Sequence, residues 1–344
     1  MSNPDAPTRR SAFRRSLPAL IGIAVSVGLL AWALRDVSLK DVLRHLTAAH
    51  AGPLLIAVVL ATLTFPLRLV RWRLLLRDER GEPYPPAPLW HAIALGFMAN
   101  NLLPLRAGEL IRAYTAARLA PARFTTVISS VAVERIFDAL TVVALLTYAL
   151  FSSELPSSVT VAGTSIAQLA RVAGVMGLAA LLGAITVVAA PLAAERMVRR
   201  LFPHAHVADR VVDLIEGIRQ GLAVLRSPAR VAGVVFWSLV LWLVNALAFY
   251  VGFDAFGIPV SYTAALLLQG LLVFGISIPS TPGFFGPFEA VIVAVLALYG
   301  IPSSLAFSYA IGFHITTFIP ITLLGLWSMA RTPGGLSVLR RAQP

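Results

Sequence analysis

Polar and charged residues gather at three places inside otherwise apolar sequence, and each place has a chemistry that its residue types allow. The first is Asn100-Asn101-Leu102-Leu103-Pro104-Leu105-Arg106-Ala107-Gly108-Glu109, with Arg112 three residues on. Pro104 removes a backbone donor and restricts the residue before it, and Gly108 permits close backbone approach. Asn100 and Asn101 offer amides to exposed backbone groups or to a ligand. Arg106 or Arg112 beside a helix N-terminus is a natural receptor for a phosphate group, with Glu109 to orient it. The alternative is a helix–loop–helix at a membrane surface with a solvated Arg106–Glu109 pair. The second place is Pro279 to Glu289, where Pro282, Gly283, Gly286 and Pro287 exclude a continuous helix. Glu289 then begins an apolar helix, where the dipole favours a carboxylate; a simple cap on a short span is the other reading. The third is Glu134, Arg135 and Asp138. Glu134 and Asp138 share one helical face, either as surface charge or as an intramembrane cluster partnered by Arg106 or Arg112. Inside a bilayer such residues are functional by default, and an inter-helix salt bridge is the competing explanation.

Other candidates are weaker. Asn245, Gln269 and His314 stand alone in apolar runs and read as interhelical glue. His204 and His206 have no third ligand at metal spacing. No Walker loop, dinucleotide fingerprint or nucleophile elbow is present. No catalytic residue, metal or cofactor is therefore assigned.

The elements that position these groups follow from composition. Of 344 residues 58% are hydrophobic and 13% charged, with a mean hydropathy of +0.82, which is too apolar for a soluble domain. The runs are too long and continuous for a membrane barrel, so the fold class is all-α, a polytopic transmembrane bundle. The net charge of +12 comes mostly from arginines between the apolar runs, the pattern of cytoplasmic loop retention rather than nucleic-acid binding. The basic residues ahead of Leu17–Leu34 make that run a retained first helix, too long for a signal-peptide core. Residues 35–50 have the spacing of an interfacial amphipathic helix. Pro53–Leu76 is a second span, with Pro66 as a kink site; Arg68, Arg71, Arg73, Arg77 and Arg80 around Trp72 read as its cytoplasmic anchors. Leu89–Leu103 is short, suiting a re-entrant or half-helix, and Glu109–Leu119 is its returning arm or a surface helix. Thr125–Phe151 and Ser165–Leu192 are spans joined by an external loop. Residues 193–230 form an amphipathic cytoplasmic connection. Val231–Phe253, Tyr262–Ile278, the short Phe288–Tyr299 and Ser303–Met329 complete about eight membrane-entering elements, two of them broken. The domain division is a cytoplasmic tail (1–16), one transmembrane domain (17–330) and a second tail (331–344), with both termini cytoplasmic. A related break in each half fits an inverted repeat with a binding site between the halves.

Asn100-Asn101-x-x-Pro104-x-Arg106-x-Gly108-Glu109-x-x-Arg112, Glu134-Arg135-x-x-Asp138 and Pro282-Gly283-x-x-Gly286-x-x-Glu289 together resemble the motif series of the lysylphosphatidylglycerol synthase transmembrane, flippase-like family. The resemblance covers nearly the whole chain. In that family the best understood members join such a membrane domain to a cytosolic aminoacyltransferase, and the membrane part moves aminoacylated phosphatidylglycerol between leaflets. These 344 residues leave no room for a transferase domain. The resemblance thus implies a flippase-like protein of the cytoplasmic membrane of a bacterium or archaeon, acting on an anionic or lipid-linked headgroup. A partner synthase or glycosyltransferase is a further implication. A membrane-embedded group transferase and a non-catalytic subunit of an envelope-lipid synthase are the alternatives.

Overall fold

A computed structural model describes residues 9–78, 80–103, 107–152, 227–277 and 280–332, with scattered positions between 160 and 179. Ten α-helices lie in these stretches. The first six are α1 (Arg9–Leu34), α2 (Leu39–Ala48), α3 (Ala51–Leu75), α4 (Pro86–Leu102), α5 (Gly108–Leu119) and α6 (Phe124–Ser152). The remaining four are α7 (Pro228–Ala255), α8 (Tyr262–Gly275), α9 (Pro287–Ala297) and α10 (Ser303–Arg331). A 3₁₀ turn at Pro282–Phe284 separates α8 from α9, and a two-residue pairing joins Thr160–Val161 to Thr164–Ser165. The expected span, external loop and cytoplasmic connection between residues 152 and 226 fall almost wholly outside the described residues. So do Pro104, Arg106, residues 1–8 of the first expected tail and residues 333–344 of the second; residues 9–16 belong to α1.

Among the described residues α3, α7 and α10 are each long and apolar enough to cross a membrane, and α1 with α2 counts as a fourth if taken as one bent span. The bend between α1 and α2 is 84°. It follows the amphipathic character of α2, which buries Val42 while Leu39 and Leu43 stay exposed, as an interfacial helix does. Ser38 caps α2 by accepting the Asp41 N–H at 3.4 Å.

The helices form two matching sets. In chain order α3 to α6 have 25, 17, 12 and 29 residues, and α7 to α10 have 28, 14, 11 and 29. Each helix of the second set begins 176 to 179 residues after its counterpart. The packing matches too: α3 lies against α7, α4 against α10 as α6 against α8, and α5 against α6 as α9 against α10. The α3–α7 pair is antiparallel. His50, the cap of α3, donates its N–H to Ala255 O at the end of α7 (2.8 Å), while Arg71 near the end of α3 bonds Ser238 near the start of α7 (3.0 Å). The repeat is therefore inverted. Such an arrangement places its binding region where the two short, interrupted pairs meet.

Both interruptions owe their shape to glycine. Gly96 and Gly108 let α4 and α5 cross closely, since a Cβ on Gly96 would lie 2.8 Å from the Cβ of Arg112 and 2.9 Å from Gly108 O. At the other break Gly286 has φ +97° and lies against the Ser26 backbone of α1, a place no larger residue fits. Pro287 then starts α9, where its missing N–H costs nothing.

Candidate functional site

Five charged side chains interlock between α3, α5 and α6. Glu134 is fully buried and accepts a two-pronged bond from Arg112 (2.9 and 2.7 Å). The same carboxylate lies 3.1 Å from Arg71 and 2.9 Å from Arg135. Asp138 accepts from Arg71 at 2.5 Å and from the Trp242 indole of α7 at 2.9 Å, with Arg135 at 3.3 Å. Arg112 also lies over the Trp72 ring, 3.8 Å from its centre. Trp72 is held in turn by Ser130 at 3.0 Å. Two buried carboxylates pair with three guanidinium groups, although Arg71 Nε and Arg112 Nε stay without a hydrogen bond among the described residues; each charge alone would be very costly in a dry interior. The surface-charge reading of Glu134 and Asp138 is thereby excluded; of the two expected partners Arg112 holds Glu134, and Arg106 lies outside the described residues.

Beside this cluster lies a cavity of about 270 Å³. Its wall includes Asn100, Asn101, Gly108, Glu109 and Arg112 of the first break, Arg135 and Asp138 of α6, and Phe284 of the second break. Eight of the fourteen residues singled out from the sequence thus belong to one structure, seven in the wall and Glu134 behind it. Asn100 accepts the Gly108 N–H at 2.9 Å and so closes the turn between α4 and α5. Asn101 reaches Thr322 of α10 at 3.1 Å, joining the halves. The packing of α5 between α4 and α6 makes it the returning arm of the hairpin and not a surface helix.

The cavity also holds a residue that sequence reasoning misplaced. Arg68 and Arg71 were expected to be anchors at the membrane boundary. Arg71 is instead wholly buried in the ion cluster, and Arg68 is 8% exposed in the cavity wall. Arg68 rests on the Phe97 ring at 4.9 Å, and its Nε and Nη1 are buried with no hydrogen-bond partner among the described residues. Asp138 and Glu134 attract the guanidinium through space, but buried donors left unbonded are costly. A guanidinium in this position is complementary to an oxyanion, which would accept two parallel N–H bonds.

The second break contributes differently. Pro282, Gly283, Gly286 and Glu289 do not line the cavity. Glu289 is fully buried; its Oε2 accepts the Gly286 N–H at 2.7 Å and its Oε1 lies 2.6 Å from His314 Nδ1 of α10. The His314 ring is stacked between Phe285 (4.4 Å) and Phe288 (4.1 Å). His314 therefore acts as a tie between helices, as does Asn245, which donates to Gln269 at 2.8 Å between α7 and α8.

Long apolar helices in an inverted repeat define an integral membrane protein. The sequence matches the family described as the lysylphosphatidylglycerol synthase TM region over residues 19–325, and the chain belongs to that family. It is similar to Glycosyltransferase AglD of Haloferax volcanii, 26% identical over 351 residues covering 94% of this chain and 55% of that protein. The chain thus spans about half the length of that relative. Two UPF0104 membrane proteins of Methanothermobacter thermautotrophicus are each 25% identical, over 78% and 83% of this chain and 80% and 85% of their own length.

Proposed function

We propose that this protein binds the anionic headgroup of a phospholipid or lipid-linked molecule in the Arg68 cavity and moves it between the leaflets of the cytoplasmic membrane. The observation that carries the reading is the buried, unpartnered guanidinium of Arg68 facing a hollow. Arg71, Arg112 and Arg135 each pair with Glu134 or Asp138, whereas Nε and Nη1 of Arg68 bond no described residue and are open to a ligand. Asn100, Asn101 and Glu109 add donors and acceptors suited to hydroxyl or amine groups on the same headgroup. Acyl chains stay in lipid while the headgroup crosses the polar interior. The site lies roughly two turns inside the boundary set by Arg73, Arg77 and Arg80, which places it nearer the cytoplasmic face when both termini are cytoplasmic. Family membership supports lipid movement as the activity.

Leaflet exchange of labelled phosphatidylglycerol in reconstituted vesicles tests this reading. The protein should accelerate exchange, and Arg68→Gln should slow it roughly tenfold or more, the weight of a hydrogen bond to a charged group. Equal exchange by the variant would contradict the assignment. The name of the Haloferax relative supports a second reading, glycosyl transfer by this membrane domain or by a partner that it serves. Turnover of a lipid-linked or nucleotide-sugar donor by the purified chain alone would favour transfer over transport.

A further inference from the structure

We infer that Glu289 and His314 form a proton-binding site that controls admission of the anion to the cavity. This rests on the reading of the Arg68 cavity as an anion site. The pair is buried, lies at an interruption of the second half, and takes no part in lining the cavity. One proton lies between His314 Nδ1 and Glu289 Oε1, 2.6 Å apart. Nε2 has no partner among the described residues and is the place for a second. With Nε2 bare the pair carries one negative charge, and with Nε2 protonated it is neutral overall.

A short covalent path links the pair to the cavity. Glu289 Oε2 holds the Gly286 N–H, and two residues earlier Phe284 lines the cavity. Phe284 has φ +62° and is the one described non-glycine residue in the left-handed region. A bulky residue there is strained, and strain persists where the surroundings enforce it. The contacts that hold the turn include the Glu289 bond to Gly286, the Phe284 N–H bond to Thr281 O at 3.1 Å and the anchoring of Thr281 N–H on Ser26 at 2.9 Å. Protonation therefore acts twice: it removes a negative charge behind the wall and weakens the carboxylate bond that fixes Phe284.

Few other ionisable groups bear on the pair. Ile21–Leu34 of α1, α9 itself and the 3₁₀ turn contribute none besides Glu289. On α8 only Tyr262 is titratable, bonded to Leu243 O at the helix start. From α2, which packs on α10, Lys40 and Arg44 are exposed and Asp41 and His45 half-buried. Asp254 and Tyr250 lie on α7, and Tyr309 on α10 bonds Phe249 O. On α4, His91 packs against Trp327, thirteen residues beyond His314. From α3, Arg68 faces the cavity side of the turn.

Binding of fluorescent phosphatidylglycerol to the purified protein, measured between about pH 5 and 8, tests the inference. The phosphodiester and the arginines keep their charge over this range. Affinity should rise as pH falls, by up to about tenfold per pH unit, the limit for one linked proton. Binding in weak buffer should take up close to one proton by wild-type protein, a measurement that needs no variant. H314Q and E289Q should flatten the dependence, and H91Q should leave it intact. A pH-independent affinity without proton uptake would overturn the proton site and leave the anion site standing. No binding at any pH would overturn both.

Discussion

Arg112–Glu134 and Glu289–His314 occupy matching places in the two halves. Each ties the third helix of its set to the eleventh or twelfth residue of the fourth. Their surroundings differ. The first half gathers Arg71, Arg112 and Arg135 around two carboxylates, opens a cavity and leaves Nε and Nη1 of Arg68 without a hydrogen bond among the described residues. The second half wraps its single acid–histidine pair in Phe285, Phe288 and the more distant Phe318, 6.4 Å from the imidazole. The shared backbone plan supplies two interruptions, and the side chains make one a charged cluster beside a cavity and the other an aromatic-lined acid–histidine pair.

The strongest way to break this contrast is to remove the hub of the charged half. Glu134→Ala strands buried guanidinium groups and should destabilise the protein by about 3–5 kcal/mol, read as a large fall in unfolding temperature in detergent. Arg68→Met should have the opposite sign, because it removes an unpaired buried charge; a gain of about 1 kcal/mol is expected together with loss of headgroup binding. A fall in stability on this substitution would mean that Arg68 belongs to the structural network.

The sealing half should respond through its backbone first. Gly286→Ala forces a side chain against Ser26 at a positive φ and should cost about 1–3 kcal/mol. Gly300→Ala provides the comparison, since its φ is +72° but nothing lies within 4 Å of the added carbon; its loss should be the smaller of the two. Least of all, Asn245→Ala removes one interhelical bond and should cost about 0.6 kcal/mol. A loss as large as that of Glu134→Ala would erase the distinction between a charged hub and ordinary glue.

Much of this was legible because the signals are local. Pro104 with Gly108 and Pro282 with Gly286 break helices by their own chemistry, and both pairs have the same spacing, 178 residues apart. Apolar run length set the bounds of α7 and α10 to within a few residues. Arg68 and Arg71 were hidden because they stand in a row with Arg73, Arg77 and Arg80, where an anchoring role accounts for all five. Only the helix face separates them: Arg68, Arg71 and Trp72 turn inward together with Phe65 and Leu75. The Glu289–His314 bond joins residues 25 apart on different helices. No spacing rule reaches across a loop whose geometry is set by packing, so the partner was invisible even though both residues drew notice. The same holds for Asp138 and Trp242, which lie on opposite halves of the repeat.

The central claim is that Arg68 holds an anionic headgroup. Native mass spectrometry of protein purified gently from its own membrane tests it directly, by comparing wild type with Arg68→Met. The wild type should carry a tightly held phosphate-bearing lipid, enriched over the bulk membrane and lost from the variant while the fold is retained. The same lipids on both proteins, in bulk proportions, would contradict it.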